Sequence, residues 1–423
     1  MFKANLCRED CINQYPFLDL MNVKEVQRMN DKSIVHLYVH IPYCIKKCDY
    51  CYFKSFGIPY GNGIPQDYFT ALLKEIKMLS QKPVILGSMY WGGGTPTMMS
   101  AEQVEMLAET VSENFEMTSD YEFCSEVRPG PETTQEKIKI LKNYNIKRVS
   151  MGAQSMNPEI LKLNGRYHSV SNFLKTYEML QKEEIFCKNV DLMSGMVGDN
   201  IQSFLDSIQK LVELSPENIS IYKLQLYNNS KLYKKARAEQ LALTTNEEEA
   251  QMVREGYTYL LEHGYELSGN LGFRKSPKYS HTHNVKTWLG EDLIGVGLSA
   301  HSRVDGRIYK NHNNVKRYIE TVNNGKFPIE RAYAYSVYED MLRHFIYGVK
   351  STNYNLVYFK ERFGMDASKI FGKEIKWMED NGYIVVKEEV IHTTLTGTLY
   401  VDDIMRAVLP DELDNIIVGH RRR

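Results

Sequence analysis

The chain has 423 residues, 43% of them hydrophobic, which is enough for one large core and a smaller additional domain. The formal net charge of −1 gives no overall basic surface for nucleic acid, no stretch is apolar enough to span a bilayer, and charged residues interrupt any signal-like segment near the amino terminus. Seven cysteines, an odd number spread over a long chain, favour reduced thiols, so we expect a cytoplasmic protein without a membrane partner.

The first half of the chain alternates apolar, β-branched runs with amphipathic segments, which predicts a parallel α/β sheet. The predicted strands are 34–41, 84–91, 121–127, 147–152, 185–193 and 219–226. The helices predicted between them are 66–79, 101–115, 133–143, 171–182 and 201–214, with Ser100 and Ser171 as N-caps. Six βα units are too few to close an eight-unit barrel.

A long helix is predicted over 247–262, followed by a loop-rich stretch over 264–286. The pattern then changes near residue 331, with short helices at 338–347, 357–363 and 369–381, a β-wing at 383–386 and 390–393, and a last helix at 397–408. This order resembles a winged-helix module. The predicted division is an extension (1–33), the βα region (34–245), a connecting region (246–330) and a carboxyl-terminal domain (331–423).

Three cysteines follow the first predicted strand in a C-x3-C-x2-C run, Cys44, Cys48 and Cys51. Three closely spaced thiolates can hold three irons of a [4Fe–4S] cluster and leave the fourth iron without a protein ligand. The alternatives are three unrelated buried cysteines or a zinc site with its fourth ligand elsewhere. Zinc sites usually match one cysteine pair with a second distant pair, which this sequence lacks. The pattern therefore predicts an iron–sulfur cluster. Cys7 and Cys11 form another C-x3-C pair, which we expect to be a bystander.

Polar or glycine-rich motifs end the following strands, at the edge where βα proteins place their chemistry. Gly92, Gly93 and Gly94, followed by Thr95, end the second strand and let the backbone approach a ligand. The later strands and the loops after them offer further polar groups, namely Glu126, Gln154, Arg166 and Asp191. Singly, each of these motifs is also compatible with an ordinary turn or an exposed strand end.

Taken together, the cysteine run and these motifs resemble the radical S-adenosylmethionine (SAM) superfamily, in which SAM binds the open iron and is split into methionine and a 5'-deoxyadenosyl radical. The order of motifs is similar to one branch, the oxygen-independent coproporphyrinogen III dehydrogenase-like family, which includes heme chaperones, anaerobic heme-degrading enzymes and class C radical SAM methylases. The resemblance implies an α/β fold, an open six-unit (βα)6 partial barrel with a C-terminal winged-helix-like α+β module.

The resemblance also implies roles for individual residues. The first SAM would be lined by Tyr38, Tyr50, Gly93, Gly94, Thr95, Glu126, Gln154, Arg166 and Asp191. A second SAM, bound in several members of the branch, would contact Tyr222, Leu224 and His301, and Tyr38 and His301 are the candidates for a catalytic role. Without the resemblance, 219–226 is an ordinary amphipathic strand and His301 is an ordinary loop histidine.

Two departures bear on the function. The dehydrogenase has a further cysteine where this chain has Phe53, which argues against porphyrinogen decarboxylation. The heme chaperones resemble H-N-x-x-Y-W, and this chain keeps His283 and Trp288 of that motif with Thr287 in place of the tyrosine. His283 and Trp288 are therefore candidates for contact with heme or substrate, although loop histidines are more often solvated than metal ligands.

The main functional hypothesis is a radical SAM enzyme that uses two SAM molecules to modify an sp2 carbon of a conjugated substrate, such as heme or a porphyrin, by methyl transfer. The alternatives are a heme chaperone that binds heme through His283 and a coproporphyrinogen-type oxidative decarboxylase. An electron donor such as flavodoxin or ferredoxin is an expected partner. The short basic end at 420–423 does not by itself indicate nucleic-acid binding.

Overall fold

The computed structural model describes residues 21, 33–238, 241, 243–269 and 271–409 of the chain. Most of the expected extension over 1–33, including Cys7 and Cys11, lies outside these residues, as does the basic end at 420–423. Within the described ranges, no helix is both long enough and apolar enough to cross a membrane.

The large core is built on a mixed sheet. The first fourteen strands of the chain are β1 (Ser33–Ile41), β2 (Tyr43–Cys44), β3 (Phe56–Gly57), β4 (Val84–Gly93), β5 (Glu116–Val127), β6 (Ile146–Gln154), β7 (Cys187–Ser194), β8 (Asn218–Lys223), β9 (Glu266–Leu267), β10 (Gly272–Arg274), β11 (Asp292–Val296), β12 (His301–Val304), β13 (Arg307–Asn311) and β14 (Ile329–Ala334). Twelve of them form one sheet in the order β14-β13-β12-β11-β1-β4-β5-β6-β7-β8-β10-β9, while β2 pairs with β3.

The middle of this sheet is parallel from β11 through β1 to β8. The interior residues Val35, Leu37 and Val39 of β1 are fully buried, as expected for a parallel strand with both faces covered. All six predicted strands occur in this parallel part, so the predicted α/β fold is confirmed. Their carboxyl ends meet at one edge of the sheet, and this edge carries the polar motifs.

The sheet continues beyond the six predicted strands. Residues 246–330, expected to be a connecting region, contribute β9 and β10 at one edge and β11 to β14 at the other. The hairpin between β12 and β13 turns at Asp305 and Gly306, which both have positive φ, at 50° and 64°. Asp-Gly is a strong hairpin signal, so this part of the sheet was visible in the sequence but lay outside the βα alternation.

Helices cover the sheet. The first ten are α1 (Gln66–Ser80), α2 (Ala101–Asn114), α3 (Gln135–Asn143), α4 (Pro158–Leu163), α5 (Val170–Lys182), α6 (Ile201–Leu214), α7 (Lys231–Arg237), α8 (Asn246–Glu262), α9 (Thr282–Trp288) and α10 (Val315–Asn323). The predicted N-cap Ser100 is confirmed, since its Oγ accepts the Gln103 N–H at 3.1 Å. The prediction of Ser171 as an N-cap is wrong, because Ser169 caps α5 and forms a reciprocal capping box with Asn172. Ser171 lies in the first turn of the helix.

The carboxyl-terminal residues form a second hydrophobic core, which includes Leu342, Phe345, Tyr354 and Phe371. Its elements are α11 (Val337–Lys350), β15 (Asn353–Asn355), α12 (Val357–Phe363), α13 (Ala367–Asp380), β16 (Ile384–Lys387), β17 (Val390–Thr393), α14 (Leu395–Leu399) and α15 (Val401–Val408). This order agrees with the expected winged-helix-like module, which stays a prediction. The last predicted helix is two helices that meet at Tyr400, and β14 extends the large sheet past residue 331.

A buried carboxylate fastens one side of the large sheet to the helices. Glu75 of α1 has no solvent-exposed surface, and it accepts hydrogen bonds from the Gly297 N–H at 2.8 Å, Asn311 Nδ2 at 2.9 Å and the Tyr318 hydroxyl at 2.7 Å. These donors lie after β11, on β13 and on α10. The turn at Gly297 in turn packs against the His40 carbonyl at the end of β1. Glu75 thus fixes the end of β1, from which the cysteine loop begins.

We expect Glu75→Ala to lower the free energy of unfolding by about 2–4 kcal/mol, because three buried donors would lose a charged acceptor. Chemical unfolding followed by circular dichroism measures this change. Glu109→Ala, on the exposed face of α2, is the control, with an expected change within about 0.5 kcal/mol. Equal losses for the two variants would contradict this role for Glu75.

Candidate functional site

A cavity of about 430 Å³ lies at the carboxyl ends of the parallel strands. Its wall includes residues at or just after the ends of six strands, β1 and β4 to β8, together with Lys350, Thr398, Val401 and Asp402 from the carboxyl-terminal module. The size is that of small-molecule and cofactor sites. Because βα proteins carry their chemistry at this edge of the sheet, this cavity is the candidate site.

The three cysteines of the C-x3-C-x2-C run share the cavity wall. Cys44, Cys48 and Cys51 are all partly buried and all line it. Backbone hydrogen bonds shape their loop, from the Cys51 N–H to the Cys48 carbonyl at 3.2 Å and from the Ile58 N–H to the Cys44 carbonyl at 2.9 Å. Three thiols from one short loop, facing one cavity, fit a [4Fe–4S] cluster held by three protein ligands.

The surroundings of the sulfur atoms supply hydrogen-bond donors. The Thr95 hydroxyl lies 3.5 Å from Cys44 Sγ, and Arg166 Nη1 lies 3.3 Å from Cys48 Sγ. Burial raises the pKa of Cys44 and raises that of Cys51 to about 11. Burial thus favours the protonated form of Cys44 and Cys51, and a metal must displace those protons to bind. Donors of this kind stabilise sulfur-ligated clusters and tune their potential.

The glycine run after β4 packs directly on the cysteine loop. The Gly94 N–H donates to the Ile41 carbonyl at 2.8 Å, and a Cβ at Gly94 would lie 2.7 Å from the Tyr43 carbonyl oxygen. Gly93 has φ of +108°, which L-residues rarely adopt, and a Cβ there would meet the His40 ring. Gly93 and Gly94 are thus required by this packing.

Two partly buried carboxylates face the cavity from the ends of β5 and β7. Glu126 accepts a hydrogen bond from the Tyr90 hydroxyl at 3.1 Å, and burial raises its pKa to about 7. Asp191 accepts from Ser150 Oγ at 2.9 Å and Asn189 Nδ2 at 2.7 Å, and burial raises its pKa as well. Glu126 is suited to an ammonium group, and Asp191 to a pair of hydroxyls.

Gln154 and Arg166 occupy the neighbouring wall with Tyr50. Gln154 has φ of +66°, an unfavourable conformation for a non-glycine residue and one that recurs at functional sites. Arg166 donates from Nη1 to the Tyr50 hydroxyl at 3.2 Å and from Nη2 to the Gly152 carbonyl at 2.9 Å. Burial lowers the pKa of Arg166, but its interactions with Tyr50 and Cys48 together raise it by more. The pKa of Arg166 is therefore raised overall.

Most of the expected first-SAM residues line the cavity with the cysteines, namely Tyr50, Gly93, Gly94, Thr95, Glu126, Gln154, Arg166 and Asp191. Tyr38 does not line it. Its hydroxyl lies 3.1 Å from His40 Nδ1, and its ring stacks on Tyr90. Tyr38 thus sits behind Tyr90, which contacts the carboxylate of Glu126.

Of the three residues expected to contact a second SAM, one lines the cavity and two do not. Tyr222 lines the cavity, whereas Leu224 is buried in a small apolar cluster with Met193 and Met196. His301 is also outside the cavity wall, and burial, with the charge of Lys310, lowers its pKa to about 3. Of these three residues, only Tyr222 is placed to contact a molecule in the cavity.

His283 and Trp288 lie on α9, away from the cavity wall. His283 is buried, its Nδ1 lies 2.7 Å from Ser88 Oγ, and its backbone N–H donates to Glu122. Burial lowers the pKa of His283 to about 3, so the ring is neutral. Trp288 packs against the second core. The expectation that His283 lies in a loop is therefore wrong, because the residue is buried on a helix.

Sequence reasoning missed several residues of the wall. Tyr52 and Phe53 directly follow the third cysteine, and their rings stack at 4.2 Å, while Tyr52 stacks on Tyr227 at 4.0 Å. All three line the cavity, and Phe53 is 44% exposed. Their proximity to the cysteines was a usable signal. Arg128 directly follows β5, so its strand-end position was a usable signal too. The carboxyl-terminal residues gave no signal, because their positions depend on packing between distant segments.

The superfamily follows from comparison with known proteins. Residues 38–211 match the family profile described as "Radical SAM superfamily". The chain belongs to the radical SAM superfamily. This match covers the part of the sheet that carries the cysteines, the glycine run, Glu126, Gln154, Arg166 and Asp191.

Relatives identify the branch within the radical SAM superfamily. The heme chaperone HemW of Bacillus subtilis is 28% identical over 385 residues, which cover 88% of this chain and 98% of that protein. The oxygen-independent coproporphyrinogen-III oxidase-like protein HemZ of the same organism is 29% identical, over 67% of this chain and 59% of HemZ. This radical SAM chain therefore belongs to the coproporphyrinogen oxidase-like branch.

A solved structure supports the fold. Coproporphyrinogen III oxidase (HemN) from Escherichia coli superposes with a TM-score of 0.74 at 22% identity, covering 89% of this chain and 90% of that one. The superposition extends beyond residues 38–211 to most of the described chain. The radical SAM superfamily implies a [4Fe–4S] cluster and SAM as cofactors, which agrees with the thiols and polar groups of the cavity.

We expect the affinity for SAM to increase as the pH rises from about 6 to about 8, because Glu126 is protonated below about 7 and its ionised carboxylate would accept a hydrogen bond from the amino group of SAM more strongly than the protonated acid. Equilibrium dialysis with the cluster-loaded protein measures this dependence. Glu126→Gln should bind SAM more weakly and lose the pH dependence over this range. A flat profile for the wild type, or the same slope in Glu126→Gln, would contradict the assignment.

Proposed function

We propose that this chain is a heme-handling radical SAM protein, which binds heme in the same cavity that holds the cluster ligands. The observation that carries this proposal is the stack of Phe53, Tyr52 and Tyr227 beside Cys51 in the cavity wall. Because Phe53 at the end of this stack is 44% exposed, its free face can pack against a planar conjugated ligand. The near full-length similarity to a protein named heme chaperone supports the choice of ligand.

The cavity offers different surfaces for the two ligands. Glu126, Gln154, Arg166 and Asp191 provide the polar groups for SAM on the strand side. The aromatic stack and the residues of α11 and α15 form another part of the wall, where an apolar ligand with acidic arms can bind. A bound cluster and SAM supply one-electron chemistry. The residues of this chain bind and orient the ligands and exclude water.

The position of His283 bears on how heme would be held. Because its ring is buried against Ser88 and outside the cavity wall, we propose that heme binding depends on the aromatic stack more than on His283. His283 as the iron ligand is the competing proposal.

Phe53→Ala is expected to weaken heme binding about threefold to tenfold, the range for loss of one aromatic contact. His283→Ala is expected to remain within about twofold of wild type, since the residue does not line the cavity. Titration of heme into the anaerobic protein, followed at the Soret band, measures both. His263→Ala, at the exposed end of α8, is the control. If Phe53→Ala still binds heme as tightly as the wild type and His283→Ala does not, the conclusion is reversed in favour of His283 as the iron ligand.

Radical chemistry on the conjugated ligand is the second candidate function, favoured by the cysteines and the SAM-type polar groups sharing one cavity. Methyl transfer with two SAM molecules and oxidative decarboxylation are its two forms. An electron donor such as flavodoxin or ferredoxin would supply the reducing electron.

With dithionite as reductant, the wild type is expected to release 5'-deoxyadenosine from SAM, and the Cys44→Ser, Cys48→Ser, Cys51→Ser triple variant to lose this release, since serine does not replace thiolate as a cluster ligand. Chromatography measures the nucleoside. Mass spectrometry of heme after reaction with methyl-labelled SAM tests methyl transfer. Unchanged heme with stable binding would favour the chaperone function, and unchanged release in the triple variant would overturn the site.

A further inference from the structure

Arg128 directly follows β5, two residues beyond Glu126, and both residues line the cavity. Its side chain is only 8% exposed. Arg128 also lies near the first cysteine, since its charge opposes the burial that raises the pKa of Cys44. The guanidinium is therefore at the side of the cavity where the cysteine loop and β5 meet.

The guanidinium of Arg128 is held in place but has unused donors. Its Nε lies 3.5 Å from Glu132 Oε1, and the ring of Tyr167 lies 5.2 Å away. Among the described residues, none of its three nitrogens has a hydrogen-bond acceptor, although all three are buried. A buried charged group without hydrogen bonds is unfavourable, and arginine has five N–H donors in a fork that matches a carboxylate.

The other arginine of the wall differs in this respect. Both terminal nitrogens of Arg166 are engaged, with Cys48 and Tyr50 on one and Gly152 and His168 on the other. Among the described residues, only Nε of Arg166 is buried without a hydrogen-bond partner, whereas all three guanidinium nitrogens of Arg128 lack one.

The local charge also favours an anion. Arg128, Arg166 and the buried Lys137 surround a single carboxylate, Glu132, whose pKa is raised by burial. Lys137 donates from Nζ to the carbonyls of Thr97 and Glu132, which fixes its charge beneath this site. Three basic groups therefore lie near one carboxylate here, although Arg166 also lies near Asp191.

We propose that Arg128 binds a carboxylate in the cavity, either the methionyl carboxylate of SAM or an acidic arm of the conjugated ligand. The second source rests on the proposed heme function, whereas the first does not. The two sources share one chemistry and are distinguished by ligands that lack the carboxylate.

The test uses the full chain with its reconstituted cluster and without reductant, so that binding and not turnover is measured. Arg128→Gln is compared with Arg254→Gln, an exposed arginine on α8, as the matched control. Calorimetry gives the affinity for SAM and for decarboxylated SAM, and Soret titration gives the affinity for heme and for heme dimethyl ester.

If SAM is the source, Arg128→Gln binds SAM about tenfold or more weakly while decarboxylated SAM is unaffected. If the carboxylate belongs to the conjugated ligand, Arg128→Gln binds heme more weakly by a similar factor, while its affinity for heme dimethyl ester is unchanged. Arg128→Lys, which keeps the charge but not the fork, is expected to give a smaller loss. Glu132→Gln is expected to tighten binding, because it removes the competing negative charge.

The proposal is overturned if Arg128→Gln changes the affinity for SAM and the affinity for heme by no more than about twofold each. It is also overturned if the affinities for decarboxylated SAM and heme dimethyl ester fall as much as those for SAM and heme. A wild type that binds no heme would count against the proposed heme function, while the SAM comparison still decides the role of Arg128. Thermal melting of each variant confirms folding. If Arg128→Gln fails to fold, Arg128→Lys and Glu132→Gln give the same decision.

Discussion

The close packing of the glycine run on the cysteine loop is the constraint on which the rest of the site depends. The hydrogen bond from Gly94 to Ile41 joins the ends of β4 and β1, and the absence of a Cβ at Gly94 lets the two backbones touch. This contact fixes where the loop leaves the sheet. It also sets Thr95 beside Cys44. The thiols therefore face the same edge of the sheet as the polar groups on the neighbouring strands.

Charge is distributed unevenly around the cavity, and burial makes that distribution effective. Glu126 and Asp191 form an acidic side on β5 and β7, while Arg166 and Arg128 form a basic side next to the cysteines. In a setting of low dielectric, such charges act strongly on a ligand and cost free energy when unpaired. An amino acid moiety, which carries both an ammonium and a carboxylate, matches this arrangement.

Much of the fold and part of the site could be predicted from the sequence, for a physical reason. Parallel strands buried on both faces give continuous apolar runs, so β1 and β4 to β8 were visible, and their carboxyl ends must share one edge. Glu126, Gln154 and Asp191 were found because each stands at such an end. The hairpin of β12 and β13 was missed, although Asp305 and Gly306 signal its turn.

Other features depend on tertiary contacts that local patterns do not contain. The capping role fell to Ser169 because Asn172 could return its hydrogen bond. His283 was expected in a loop, but α9 packs it inward against Ser88. Lys350 and Val401 reach the cavity only because the second core docks beside the sheet, as the bond from Lys223 to the Leu399 carbonyl illustrates. Spacing along the chain says nothing about such contacts.

The wall of the cavity is shared between two parts of the chain that are distant in sequence, the parallel strands and the carboxyl-terminal helices. The cluster ligands and the strand-end polar groups belong to the first, while Lys350, Val401 and Asp402 belong to elements of the second. Substitutions on α11 and α15 can therefore reshape the ligand chamber without disturbing the thiols. In evolutionary terms, a descendant of this scaffold can acquire a new ligand through its carboxyl-terminal helices while the part that carries the three cysteines is inherited unchanged.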